Sequence, residues 1–319
     1  MRSADRGLPW LAVAIGLLLT ACANGTRPGA SPSSTGDLYP GWPGSGTVVT
    51  SSDFIPLLVN SELAVDSGRV MVGLEDRAGR SLVSAEVAVQ IGIYDLAAST
   101  ETAASQAAGT FRWLIPDVKA IYTAPATFTH AGDWGMEVTA TGGGEPDRTA
   151  RVTFSVRDTT TTPAIGADAP RSDTLTATDP TTLPAISTDE HPDLAFYDLS
   201  VRDAIAAGKP FVLVFSTPLF CTSGTCGPAL DLVKQVAPDY LGRVSFIHVE
   251  PYVLEMRDGR TQPVVDVTGG PKPIRAVVEW GLPTEPYVFV VDANGKVAAK
   301  FEGMVYPDEL TAALDALLR

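Results

Sequence analysis

The sequence predicts two folded domains of different class, an all-β antiparallel sandwich followed by an α/β domain. Three observations carry this. Apolar residues alternate with period two through the first half, as in Val70, Val72 and Leu74 and again in Val87, Val89, Ile91 and Ile93, which puts them on one face of successive strands. From Asp193 the pattern changes to continuous apolar runs separated by helical stretches, as expected of strands covered on both faces. Between the halves lies a Pro- and Thr-rich segment with few large apolar side chains, the composition of a linker.

Charge and cysteine usage exclude several classes. The 319 residues carry 23 Lys+Arg against 37 Asp+Glu, a formal charge of −14, and 45% are apolar. That is enough hydrophobic material for about two packed domains. It is too acidic for a protein that binds nucleic acid by neutralising phosphates, so no nucleic-acid partner is expected. Three cysteines fall short of the roughly four paired ligands of a zinc ribbon, and neither a metal nor a cofactor is expected.

Residues 1–21 have the parts of an export signal: basic Arg2 and Arg6, an apolar run from Leu8 to Leu19, and small residues before a cut. The run is short for a bilayer span. Leu19-Thr20-Ala21-Cys22 resembles the lipobox of bacterial lipoproteins. The resemblance implies that Cys22 is acylated and becomes the first residue of a chain anchored on the extracytoplasmic face of the cell membrane. Arg2 and Arg6 outweigh Asp5, so losing the leader takes the formal charge from −14 to −15. Residues 22–52, dense in Gly, Pro, Ser and Thr, read as a flexible tether.

In the first domain, residues 53–157, the alternating strands continue through Phe111 to Ile115, Ala120 to Ala124, Trp134 to Ala140 and Ala150 to Val156, separated by turn clusters such as Thr141 to Gly144. About seven short strands at this spacing point to a sandwich of immunoglobulin-like type. His130 reads as a surface loop residue, because no other metal-ligating side chain lies near it in sequence. Residues 158–192 read as the linker.

In the second domain, residues 193–319, Ser200 is placed to N-cap a short helix that Gly208 ends. Phe211 to Phe215 is a buried strand, and a cysteine loop, a helix through Ala229 to Val236 and a second buried strand, Val244 to Val249, follow. This βαβ unit implies parallel pairing through a right-handed crossover. A short helix through Ile274 to Trp280 leads to Tyr287 to Asp292, and Asn294-Gly295 turns that strand into an antiparallel hairpin. A helix after Pro307 closes the chain.

This order, with a cysteine loop at the end of the first buried strand, resembles the thioredoxin superfamily over about two fifths of the chain. Three segments carry the resemblance: Ala206 to Phe215 as the lead-in strand, Cys221-Thr-Ser-Gly-Thr-Cys226-Gly-Pro at the strand-to-helix junction, and Glu285-Pro286 leading into the hairpin. It implies thiol–disulfide exchange at Cys221 and Cys226, with Phe220, Glu285 and a cis Pro286 shaping the substrate groove. A thiolate is the attacking species, and a helix N-terminus stabilises it. The implied partners are exported protein thiols or disulfides, or a membrane electron donor.

The spacing departs from the family's C-x-x-C, since four residues intervene. Cys221 as nucleophile with Cys226 resolving is the favoured assignment. Cys226 as nucleophile, with Ala229 in the resolver's place, is the other. Val214 stands where the family keeps a buried acid. Pro218, Phe220 and Thr222 only scramble the peroxiredoxin pattern, and His248, on the second strand, reads as a satisfied strand residue rather than a copper ligand. The competing function is a non-catalytic binding or scaffold lipoprotein with a structural Cys221–Cys226 disulfide. Depth separates the two: exchange needs a solvent-touching Cys221, whereas a staple buries both sulfurs.

Overall fold

The computed structural model describes residues 38–44, 48–49 and 54–319. The export signal and Cys22 lie outside the described residues, as does most of the expected tether. Trp42 is an exception within that stretch. It is buried on Tyr94 and Leu96 and its indole N–H donates to the Thr100 carbonyl at 2.9 Å. Gly135 makes room for it, since a Cβ there would sit 2.4 Å from the Trp42 ring. A large aromatic finds a dry site even in a polar segment, because burying it is worth about 2–3 kcal/mol.

Eight antiparallel strands build the N-terminal region: β1 (Val48–Val49), β2 (Ile55–Leu58), β3 (Arg69–Glu75), β4 (Val87–Asp95), β5 (Ser105–Ile115), β6 (Lys119–Pro125), β7 (Gly132–Gly142) and β8 (Glu145–Val156). They form one sheet in the order β1-β8-β7-β4-β5-β6-β3-β2. β5 makes the continuity. Its first half, Ser105 to Gly109, pairs with β4, and from Thr110 it pairs with β6. Gly109 sits at this switch, where an added Cβ would come within 3.2–3.3 Å of Tyr122 and Val89. Beyond β2, Ala64 bridges Arg157 just past β8, which nearly closes the sheet on itself. The alternating residues Val70, Val72, Leu74, Val89, Ile91 and Ile93 all point into one enclosed core. His130 is at the surface, 2.8 Å from Asp95.

The C-terminal region is a three-layer α/β domain. Its elements are α1 (Val201–Ala207), β9 (Phe211–Phe215), α2 (Cys226–Val236), β10 (Ser245–Val249), β11 (Leu254–Arg257), β12 (Arg260–Pro263), α3 (Arg275–Glu279), β13 (Tyr287–Val291), β14 (Val297–Glu302) and α4 (Pro307–Leu317). The sheet order is β10-β9-β13-β14, with β9 and β10 parallel and β13 antiparallel to both β9 and β14. Period two divides its side chains. Val212, Val214, Val288 and Val290 pack under α2 and α4, whereas Phe211, Leu213, Phe215 and Phe289 pack under α1 and α3. Ser200 caps α1 by accepting the Asp203 N–H, and Gly208 ends the helix in the left-handed conformation at φ 64°. β11 and β12 form a hairpin inside the stretch that reads as irregular in sequence.

Residues 158–192, expected to be a linker, are packed along the α/β domain. Ala169 joins the core under α1, and Ala177 and Leu183 join the core under α2. The backbone is paired as well: Gly166 N–H to Val297, Val297 N–H to Ala167, Ala177 N–H to Tyr197, all at 2.8–3.0 Å. Proline content limits regular structure here to one 3-10 helix, Pro180–Ala185, but does not prevent docking, because small apolar side chains suffice when the groove and the backbone partners already exist. We call this segment the strap.

Residues from Asp37 onward form one compact unit, and the two regions share an interface. Met71, Leu114 and Ile121 of the β region cluster with Ala229, Met304 and Tyr306. Around this apolar patch, Arg69 donates to both carboxylate oxygens of Glu309 at 2.6–2.7 Å, and Arg112 pairs with Asp308 at 2.5 Å. Both acids occupy the first turn of α4, where the helix dipole favours negative charge.

Candidate active site

The continuous apolar run of β9 ends at Phe215, and the chain then turns through Ser216 to Thr225 before α2 begins at Cys226. The turn brings Cys221 back over the first residue of that helix. Thr225, the N-cap, makes no side-chain cap bond, so first-turn N–H groups are left for other acceptors. The Cys226 N–H donates to the Cys221 sulfur at 3.2 Å, and Ser223 Oγ lies 3.2 Å from the same sulfur. Ser223 is itself held 2.7 Å from Thr225 Oγ1.

Burial and charge differentiate the two cysteines, both of which are free thiols. Cys221 is half-buried, and Cys226 has no exposed surface. The Cys226 side chain donates to Cys221. That bond, with Ser223 and the N–H groups of Cys226 and Thr225, outweighs burial and holds Cys221 down to about 4. Cys226 is pushed up by the same bond to the Cys221 anion and by burial. The arrangement is a thiolate resting on a thiol.

Phe220 is partly exposed and precedes Cys221 in a turn whose N–H returns to the Thr217 carbonyl at 3.2 Å. The Glu285–Pro286 bond is cis and Pro286 is buried at the start of β13. Glu285 is partly buried, accepts the Tyr252 hydroxyl at 3.0 Å, and is raised first by burial and also by negative charge on Cys221. The structure thus brings Cys221, Cys226 and Glu285 into one electrostatic neighbourhood. His248 is buried, with Nδ1 2.7 Å from the Tyr197 hydroxyl and Nε2 2.9 Å from Ser216 Oγ. Burial lowers it to about 4, which keeps it neutral.

Val214 is fully buried, but an acid unmarked by sequence reading lies close by. Glu250, directly after β10, is 4% exposed, and burial raises it to about 7. The available signal was a charged residue directly after the second buried strand, Val244 to Val249. Ser223, Thr188 and Tyr252 had no such signal, because only the folded path of the chain brings Ser223 to the Cys221 sulfur, Thr188 to Glu250 and Tyr252 to Glu285. From the β region, Ile115 reaches the cysteine loop: an added Cβ on Gly224, at φ 72°, would lie 3.1 Å from its Cδ1.

Among the described residues, no cluster of three or more His, Cys, Asp or Glu is arranged to hold a metal ion, and no helix is long and apolar enough to cross a membrane.

No curated protein matches the chain. Among solved structures, the crystal structure of an engineered protein aligns at 17% identity and a TM-score of 0.22, covering 33% of this chain and 20% of that one; at that level it carries no argument. The family model described as the thioredoxin-like domain matches residues 197–318. With the sheet order, the cysteine turn and the cis proline in place, the C-terminal part of this chain is a thioredoxin-like domain.

Proposed function

We propose that the protein performs thiol–disulfide exchange at the Cys221–Cys226 pair, on the extracytoplasmic face of a membrane to which a lipid on Cys22 anchors it. The reading rests on one observation above others: the sulfur of a half-buried Cys221 receives the N–H of Cys226 at the start of α2, over a fully buried Cys226. A structural staple has no use for this asymmetry, since it needs neither an accessible sulfur nor a stabilised thiolate.

The chemistry follows from the geometry. The Cys221 thiolate attacks one sulfur of a substrate disulfide, forming a mixed disulfide and releasing the other substrate sulfur as a thiolate. Cys226 then loses its proton and attacks Cys221. The second substrate thiolate leaves, and the Cys221–Cys226 disulfide holds the two-electron oxidation. Run backwards, the same steps oxidise a substrate dithiol. Phe220, Glu285 and Pro286 border the groove. The partners are exported protein thiols or disulfides, or a membrane electron donor that resets the pair. The β region is an immunoglobulin-like module that holds the domain away from the lipid; its antiparallel strands around one enclosed apolar core are compatible with this.

Equilibration with glutathione buffers followed by alkylation tests the reading. The expected result is a defined two-electron midpoint in the folded protein, and capture of a mixed disulfide on Cys221 in Cys226→Ser. A pair that never equilibrates while folded, or turnover of a model disulfide unchanged in Cys221→Ser, overturns it.

A further inference from the structure

The strap delivers two consecutive hydroxyls to the buried polar groups beneath the cysteine loop. Ser187 Oγ lies 2.9 Å from the Tyr197 hydroxyl, which reaches His248. Thr188 makes the more direct connection. Its backbone N–H and its hydroxyl both donate to Glu250 Oε2, at 3.0 and 2.7 Å, and its oxygen accepts the Leu219 N–H at 3.2 Å. A hydroxyl has one proton, so the polarity of the chain is set: Leu219 N–H to Thr188, Thr188 O–H to Glu250. Leu219 is two residues before Cys221. The far oxygen of the carboxyl, Glu250 Oε1, and Thr217 Oγ1 are both buried, and neither has a hydrogen-bond partner outside this pair. Thr217 in turn presents its backbone to Cys226. One carboxyl therefore lies between the strap on one side and the floor of the cysteine pair on the other.

We propose that Thr188 is a positioning residue of the exchange site: its single hydroxyl fastens the loop carrying Cys221 to the buried Glu250 carboxylate. The inference rests on the exchange reading above. It makes a segment outside the matched domain, residues 197–318, part of the working site.

The groups facing Glu250 set the sign of the effect. They are Thr188 from the strap, Thr217 from the turn after β9 and Glu285 from the segment before β13, while Asp189, next to Thr188, is paired with Lys234. His248 precedes it on β10, and Tyr252 follows it, donating to Glu285. Burial and Glu285 raise the Glu250 carboxyl, and the Thr217 side chain and the two Thr188 bonds act against them. Removing the hydroxyl takes away a stabiliser of the ionised form and frees the Leu219 N–H.

The test compares Thr188→Val and Thr188→Ser in the full reduced chain, with Glu250→Gln as reference. One readout is the pH profile of Cys221 alkylation. The inflection belonging to Glu250 is expected to move up by about one pH unit in Thr188→Val, since a hydrogen bond to a charged group is worth about 1.5 kcal/mol. It should return to the wild-type position in Thr188→Ser and vanish in Glu250→Gln. The second readout is amide hydrogen exchange at Leu219, about tenfold faster in Thr188→Val and unchanged in Thr188→Ser. Thr188→Ala gives the same readings if the valine variant does not fold. A profile and a Leu219 protection in the hydroxyl-free variants that match wild type overturn the inference. Neither readout needs turnover, so a wild-type protein that fails to exchange with disulfides is recognised separately as failure of the exchange reading.

Discussion

The Cys226 N–H points at the Cys221 sulfur from 3.2 Å, so the first residue of α2 supplies both the dipole end that stabilises the nucleophile and the thiol beneath it. Lowering the proton affinity of one sulfur raises that of the other, and the reduced pair shares a single proton over a wide pH range.

Alkylation should show this directly. With Cys221 held near 4, its reaction with a thiolate-specific reagent is expected to be fast between about 5.5 and 8, modulated only by the shallow inflection of Glu250 near 7, whereas an ordinary thiol speeds up about tenfold per pH unit there. Cys226 should remain unmodified until the protein unfolds. Mass spectrometry of the labelled peptides checks both statements. A stabilised thiolate also favours the reduced state, so the disulfide should be more oxidising than that of Cys221 paired without the helix.

Ser223→Ala removes one of the bonds to the anion. The expected rise in the Cys221 titration is about one unit, matching a charge-assisted hydrogen bond of about 1.5 kcal/mol. Thiolate absorbance during a pH titration measures it, and no rise would mean that the backbone N–H groups alone hold the charge.

Glu250 makes a prediction about stability. Its folded-state value of about 7 lies above the reference of 4.5, so between those values the folded chain binds more protons than the unfolded chain. Its contribution is therefore fully present below about 4.5 and is lost as pH rises through about 7. Urea midpoints should show this downward slope in wild type, and Glu250→Gln should flatten it.

At the interface between the two regions, Arg69→Ala leaves Glu309 without its partner and the carbonyls of Glu302 and Met304 without a donor. The Arg69 and Glu309 side chains are only 13% and 18% exposed, so the expected cost is about 3 kcal/mol. Denaturant unfolding followed at Trp280 and Trp134 would read it as a lowered midpoint for both regions.

Gly281 has φ 58°, and a Cβ there would fall 2.1 Å from the Thr161 carbonyl oxygen at the start of the strap. Gly281→Ala must displace backbone, and it should destabilise the fold by more than about 2 kcal/mol. Limited proteolysis is expected to cut the strap first.

Much of the architecture was legible because it is written in local patterns. Period-two alternation marks β3, β4, β7 and β8. The continuous runs of β9 and β13 mark strands covered on two faces, and Ser200 and Gly208 bracket α1. The cysteine turn and the Glu285–Pro286 segment could be placed because each adjoins such a run. The strap was not legible, for the converse reason. Its prolines and threonines carry no periodic signal, and Ala169, Ala177 and Leu183 become core residues only against surfaces built by distant elements.

The sequence by itself determined the order of elements, the two classes of domain and the cysteine pair at a strand-to-helix junction, because these depend on side-chain periodicity and on neighbours a few residues apart. Tertiary structure decided which cysteine touches solvent, that Glu250 occupies the ground where Val214 left no acid, and that Thr188 reaches both it and the Cys221 loop. These depend on burial and on contacts across 31 and 62 positions, distances over which composition and periodicity hold no information.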